Sequence, residues 1–276
     1  RPMAGGQFYK QPLSFDEVPK SLSGDRQFAD GRSLIERARR SGASLLAGRV
    51  VWGTFAPNDF AVFDGACSRI YRPKRTIVAT GAYERGLPLP GWTLPGVMTT
   101  GAAQTMMRSY GVLPGGRVLI AGNGPLNLQV ALELKRAGVN VVAVAELADA
   151  PGPASFMNGL RMMLSAPGLT LNGIRYLAAL RVRGVSVQYG QGLLSIEKTK
   201  AGLKARVGRI GQVGIDAEKS YEVDAVCAGY GFQPNNEILR SLGCSHRYDE
   251  NRGHLITKRN RECETSASGI YAIGDC

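Results

Sequence analysis

The run from Val118 to Glu146, VLIAGNGPLNLQVALELKRAGVNVVAVAE, has the residue types and spacing of an anion-capturing turn. An apolar strand enters Gly122-Asn123-Gly124, and a helix begins at once. Gly122 permits the tight turn, Gly124 lets the backbone approach a pyrophosphate, and the free amides at the helix start supply the anion site. Pro125 suits the first helical turn, where its missing N–H is no loss, and Gly138 stops the helix. Glu146, at the end of the second strand, stands where a carboxylate accepts hydrogen bonds from an adenosine ribose. It would also repel a 2′-phosphate, and residues 147–150 contain no Arg to reverse this, so the pattern predicts NAD(H) over NADP(H). Asn127 occupies the place where such a turn expects a third Gly or Ala. Its bulk predicts a helix tilted outward and keeps open a site for another adenine nucleotide, or for none.

Two weaker patterns accompany it. Thr265 to Asp275 ends in a short apolar strand, Ile270 to Ile273, that delivers Gly274 and then Asp275. The Gly permits close approach, and the carboxylate is placed to accept hydrogen bonds from a sugar-alcohol chain. Ala79-Thr80-Gly81 follows a buried-looking strand at Thr76 to Ala79, with an echo at Ala228-Gly229. A strand ending in a small residue and Gly lets the backbone cross close to a flat ligand. The five Cys show no CxxC spacing and no nearby His pair, which argues against zinc, thioredoxin-type and disulfide-framework chemistry. Dispersed Cys suit a reducing compartment. His246 and His254 lie in a polar stretch and read as surface residues. No catalytic base and no metal site are assigned.

The elements that must hold these residues alternate along the chain. A helix is predicted over Ser33 to Ser44, then a small antiparallel meander at Arg49 to Phe55, Phe60 to Phe63 and Ser68 to Tyr71. Gly86 to Gly96 is dense in Pro and Gly and is predicted to be an irregular interdomain linker. A helix at Thr100 to Tyr110 leads to a β-α-β unit: strand 117–121, helix Pro125 to Ala137, strand Val139 to Ala145. Helical stretches follow at Phe156 to Leu164 and Ile174 to Arg181. Strands come next at Val185 to Tyr189, Leu193 to Thr199, Gly202 to Arg209 and Ala225 to Ala228. Strands alternating with helices imply a parallel sheet.

Composition narrows the function classes. Gly makes up 36 of 276 residues, about 13% against an ordinary ~7%, without a collagen period, which points to many tight turns. The net charge of +12 is scattered, and no basic helix with interleaved aromatics appears. Anionic small ligands are therefore favoured over nucleic acid. No apolar run reaches the roughly 20 residues of a membrane helix. The expected location is cytoplasmic, or peripheral at a membrane through a complex.

Together these motifs resemble the two-dinucleotide-binding flavoproteins of the pyridine-nucleotide-disulfide reductase superfamily. Ala79-Thr80-Gly81 resembles the family's exit from its flavin domain. Ala228-Gly229-Tyr-Gly-Phe-Gln-Pro234-Asn235 resembles the return, and Thr265 to Asp275 the closing motif whose Asp holds the flavin ribityl chain. The resemblance implies a Rossmann-like NAD(P)-binding domain inserted into a partial FAD-binding domain with a small antiparallel β-meander. It gives residues 1–90 and 225–276 to the flavin domain and 91–224 to the nucleotide domain. The first flavin fingerprint would precede Arg1, with Gly5-Gly6-Gln7 as the loop just after it. The chain would then be a fragment lacking both family ends. Cofactor-binding positions follow: Gly5, Gly6, Gln7, Ala79, Thr80, Gly81, Gly274 and Asp275 for FAD. Gly122, Gly124, Asn127, Glu146 and Gly229 would hold NAD(H) or another adenine nucleotide.

A narrower resemblance, carried by Ala4 to Gln11, Leu89-Pro-Gly-Trp-Thr-Leu-Pro-Gly-Val97 and Ala121 to Leu126, is to the amine-oxidising branch. That branch holds the hydrogen cyanide synthase B, opine oxidase A, sarcosine oxidase alpha and dye-linked proline dehydrogenase alpha subunits. It implies an FAD-dependent oxidoreductase acting on CH-NH or CH-NH2 donors of a small amine or amino-acid-derived substrate, with the substrate site on a partner subunit. The alternatives are an NADH-dependent reductase of a small redox partner and a non-catalytic nucleotide-binding scaffold subunit.

Overall fold

Short apolar runs bounded by glycine build the sheets, because each is too short for a helix and ends where the backbone must turn. The computed structural model describes residues 3–14, 16, 18–20, 24–56, 58–150, 152, 163–211 and 214–276. In chain order the elements begin with α1 (Arg26–Arg40), β1 (Val50–Ala56), β2 (Asp59–Phe63), β3 (Ser68–Tyr71), β4 (Thr76–Val78) and β5 (Ala82–Glu84). Then come β6 (Val97–Thr99), α2 (Thr100–Tyr110), β7 (Arg117–Gly122), α3 (Pro125–Arg136), β8 (Asn140–Glu146) and α4 (Pro167–Val182). The chain continues through β9 (Val187–Tyr189), β10 (Gly192–Thr199), β11 (Gly202–Gly211), β12 (Gly214–Val223) and β13 (Ala225–Gly229). It ends with β14 (Phe232–Pro234), α5 (Glu237–Ser241), β15 (His246–Asp249), β16 (His254–Thr257) and β17 (Ile270–Ala272). Contacts divide the chain into two compact units. One holds Arg1–Gln11, Asp30–Tyr83 and Phe232–Cys276; the other holds Pro12–Ala29 and Glu84–Gly231.

In the second unit a five-stranded sheet runs β6-β13-β7-β8-β9, each strand parallel to its neighbours. Parallel sheets are covered on both faces, and β7 shows it. Val118 and Ile120 enter a core with Val130, Leu134 and Leu180 of the helices, while Leu119 and Ala121 meet the antiparallel β10-β11-β12 sheet. This is the predicted α/β Rossmann-like arrangement. Residues 86–96 have no regular structure, as predicted. They press onto β10: the Ile196 N–H donates to Pro90 O at 2.8 Å, and a Cβ on Gly91 would lie 1.9 Å from Ile196 O.

The first unit contains the predicted meander, β1-β2-β3, antiparallel throughout. Its Phe60 and Val62 pack with Val78 of β4, Ile270 and Ala272 of β17, and Leu239 of α5. β4 and β17 pair in parallel, Thr76 opposite Ile270 and Val78 opposite Ala272.

Several expectations shift. The first helix spans Arg26–Arg40 rather than Ser33 to Ser44, because Asp25 accepts from the Gln27 N–H at 2.7 Å and Phe28 is buried at its start. The expected helix at Ile174 to Arg181 extends over Pro167–Val182, with Pro in its first turn. The helix expected at Phe156 to Leu164 falls, apart from its last two residues, outside the described residues. Strand β12, helix α5 and the β15–β16 hairpin lie where the sequence pattern predicts no element.

Candidate functional site

The carboxyl ends of β13, β7 and β8 come into line, since Gly229 pairs with Gly122 and Gly122 with Glu146. Ligands of open α/β sheets bind at such ends, beside the strand from which the chain winds in both directions. The turn is held by three backbone bonds: Leu147 N–H to Gly122 O, Asn123 N–H to Gly229 O, and Asn127 N–H to Gly124 O, at 2.8, 2.8 and 3.2 Å. At Gly122 an added Cβ would lie 1.9 Å from Gly229 O, so glycine there serves the approach of one strand end to the next. At Gly124, with φ +109°, a Cβ would meet nothing within 4 Å. That open space above a helix N-terminus fits a pyrophosphate.

Asn127 is 1% exposed. Its Oδ1 accepts from the Thr100 hydroxyl at 2.9 Å, and its Nδ2 donates to Gly229 O at 2.9 Å. The bulk expected to tilt the helix outward is thus taken up as a bridge between α3, the start of α2 and the end of β13. Thr100 is the residue sequence reasoning missed, 27 positions away from its partner. Gly229 is required by the bridge, because a Cβ there would lie 2.1 Å from Asn127 Oδ1.

Glu146 is 5% exposed and accepts from the backbone N–H groups of Gly124 and Ala148, each at 3.3 Å. Burial pushes its carboxyl above the ordinary value, and the two amides pull it part of the way back. The sign follows from linkage. A raised acid makes its full contribution to stability below the unfolded value and loses it as pH rises through the folded value. Stability of the Glu146→Gln variant relative to the native chain should therefore rise between pH 4 and pH 8. Urea midpoints across that range would check it, and a flat difference would refute the buried-carboxylate account.

In the first unit Thr80-Gly81 follows β4 and Gly274-Asp275 follows β17, so the parallel pairing delivers both to one strand-end edge. Gly81 (φ +72°) and Gly274 (φ +74°) each leave open space where a Cβ would stand. Asp275 is exposed, and the Thr80 hydroxyl donates to Asn235 O at 2.5 Å. Gly5 and Gly6 have positive φ, and Gly5 O accepts from the Tyr9 N–H at 2.9 Å, so Gly5-Gly6-Gln7 is a turn. Ala79 continues β4 into this edge. Glycines open on one side beside a carboxylate fit the ribityl and phosphate portions of a flavin nucleotide. His246 sits in a hairpin, with Nδ1 2.7 Å from Cys244 O and Nε2 3.2 Å from the Thr257 hydroxyl. Among the described residues no group of three His, Cys, Asp or Glu could hold a metal. No described helix is long and apolar enough to cross a membrane.

A second buried polar cluster lies beneath α2 and α3. Arg108, 1% exposed, reaches Glu133 at 3.2 Å and Asp25 at 2.5 Å, and its guanidinium stands 4.8 Å from the Phe28 ring centroid. Glu133 also accepts from Gln104 and Gln129. This cluster ties residues 25–28 to the helix pair.

Two strand-end edges, one with Gly124 open near Glu146 and the other with Gly81 and Gly274 open near Asp275, have the geometry of two nucleotide sites. Residues 18–276 match the pyridine nucleotide-disulphide oxidoreductase family, and the chain belongs to it. It is 30% identical to the opine oxidase A protein of Rhizobium meliloti (strain 1021), over 99% of this chain and 59% of that protein. It is also 30% identical to the hydrogen cyanide synthase protein HcnB of Pseudomonas protegens, over 98% of this chain and 58% of that one. Each of these relatives is one subunit of its enzyme. The chain spans less than two thirds of their length. Among solved structures, T. acidophilum thioredoxin reductase superposes with a TM-score of 0.67 at 18% identity, over 99% of this chain and 79% of that one. That likeness supports the fold alone.

Proposed function

We propose that the chain is the electron-transferring part of an FAD-dependent dehydrogenase subunit that oxidises a small amine or opine-like substrate together with a partner subunit. The observation that carries this is the match to opine oxidase A over 99% of this chain, which extends over both units. The Cys spacing supports it further, since these 276 residues hold no CxxC through which a cysteine pair could run the chemistry. Arg1–Gln11, Asp30–Tyr83 and Phe232–Cys276 would form the flavin domain, and Pro12–Ala29 with Glu84–Gly231, which carries β13, the nucleotide domain.

When bound, FAD would supply the redox chemistry, taking the electron pair removed from the C–N donor. The chain's own contribution is binding and orientation. Gly81 and Gly274 keep the backbone low at the strand ends, with Ala79 and Thr80 leading into them, and Asp275 offers acceptors for ribityl hydroxyls. Gly5-Gly6-Gln7 would border the same ligand. In the nucleotide domain the open space at Gly124 and the start of α3 would face a pyrophosphate, and Glu146 the adenosine ribose. Gly122, Asn127 and Gly229 fix the turn from beneath. The reading places the protein in the cytoplasm, with the substrate site on the partner.

Calorimetric titration with NADH, NADPH and ATP tests the nucleotide domain. NADH should bind at least about tenfold more tightly than NADPH, and Glu146→Ala should weaken it by a similar factor, about 1.4 kcal/mol. Binding of ATP alone, or of nothing, would leave a scaffold. Dye reduction by the native complex with an opine, proline, sarcosine and glycine tests the donor class. Failure with all four would overturn the amine-oxidising reading.

A further inference from the structure

Two bulges on the edge strand β1 lift aromatic side chains onto the outer face of the meander. The pairing with β2 skips one residue between Val51 and Gly53 and another between Thr54 and Ala56, and these are Trp52 and Phe55. Bulges re-aim side chains. Here the two rings are 54% and 67% exposed and meet edge to face with centroids 5.5 Å apart. The Trp52 indole N–H already donates to the Ser68 hydroxyl at 3.1 Å, so what it presents to water is apolar ring. Register sets Val50 opposite Phe63, and Ile70 opposite Ala61 on the far side of β2, adding three more exposed apolar side chains. The inner face is already spent on the core through Phe60 and Val62. An antiparallel sheet with one face on a core ordinarily shows polar residues on the other, and a contiguous apolar patch on that face marks an interaction site.

The charges around the patch indicate what it fits. Between residues 49 and 75 the chain carries five Lys and Arg against two Asp. Asp59 is paired with Arg72 at 3.0 Å, and Asp64 accepts from the N–H groups of Ala66 and Cys67. Lys74 and Arg75 are exposed, and no carboxylate among the described residues lies within ion-pairing distance of them. A second copy of the chain, docked face to face, would set this cation surplus against itself. Asp59 and Asp64 at the two turns each stand beside an Arg, Arg72 at 3.0 Å and Arg69 at 4.0 Å, so the face presents net positive charge to whatever covers it.

We propose that the outer face of β1–β3 is the docking surface for the partner subunit, and that the partner's contact is an apolar surface edged with carboxylates. The proposal rests on the reading of this chain as part of a heteromeric dehydrogenase. Trp52 and Phe55 are the anchors, and the surrounding cations select the partner by charge.

The test uses affinity-tagged protein purified from its own cells, with the copurifying partner serving as the probe. Hydrogen exchange is compared between the complex and the protein freed of that partner. Amides over residues 50–71 should exchange at least tenfold more slowly in the complex. Phe55→Asp, or the milder Phe55→Ser, should weaken association at least about thirtyfold while leaving NADH affinity within twofold. Lys74→Glu with Arg75→Glu should slow association. Protection elsewhere with 50–71 unchanged, a neutral Phe55→Asp, a second copy of the chain on this face, or binding to phosphatidylglycerol vesicles through it would each overturn the proposal. Purification without any partner would overturn the heteromeric reading as well, whereas a complex docked elsewhere overturns only this surface.

Discussion

Gly122→Ala should destabilise the nucleotide-binding unit by about 3 kcal/mol and abolish measurable NADH binding. The new Cβ would stand 1.9 Å from Gly229 O, 2.4 Å from Gly229 C and 2.7 Å from Asn127 Nδ2. Two of those atoms are backbone at the end of a central strand, so relief requires β13 and β7 to part. Gly124→Ala is the matched control. Its Cβ meets nothing within 4 Å, and only the positive φ of +109° opposes it, which limits the loss to about 1–2 kcal/mol. Urea unfolding of both variants measures the difference. Equal losses would mean that conformation, rather than the approach of the two strands, explains the glycine at 122.

Arg108→Met should cost about 3–5 kcal/mol, because it strands the Glu133 carboxylate in the interior. Glu133 is 4% exposed and would be left with the side-chain amides of Gln104 and Gln129. Asp25, whose side chain is 24% exposed, can recover water. Adding Glu133→Gln should therefore restore part of the loss, and a double-mutant cycle reads that coupling directly. Strict additivity would show that Arg108 matters through its contact with Phe28 and its packing, and not through charge.

The β-α-β unit was legible because its signals are local. An apolar strand, two glycines and a proline-started helix lie within one short run, and α2 matches its expected span from Thr100 to Tyr110. What stayed hidden depends on distant partners. The start of α1, RQFADGR, shows no apolar period, and Gly31 argues against a helix there. The structure gives that glycine a reason, since a Cβ would come 2.4 Å from Gln11 Nε2. Strand β12 is rich in charge and pairs with β11 at the edge of its sheet, so burial left little mark on its sequence. The Arg108 cluster draws on residues 25, 104, 108, 129 and 133, whose proximity only the fold creates. At the candidate site the open glycines could be named from sequence. The hydrogen bonds that consume both ends of Asn127 could not, because Thr100 and Gly229 lie 27 and 102 positions away.

That bridge constrains how the sequence can drift. While Asn127 is present, position 229 has no room for a side chain. Trading Asn127 for alanine would not by itself open that room, because the Thr100 hydroxyl would still lie 2.6 Å from the added Cβ, and it would leave that hydroxyl without its buried acceptor. A valine at 100 would then become acceptable only after the alanine at 127. The three positions can change in some orders and not in others, so descendants of this chain should carry them as a set.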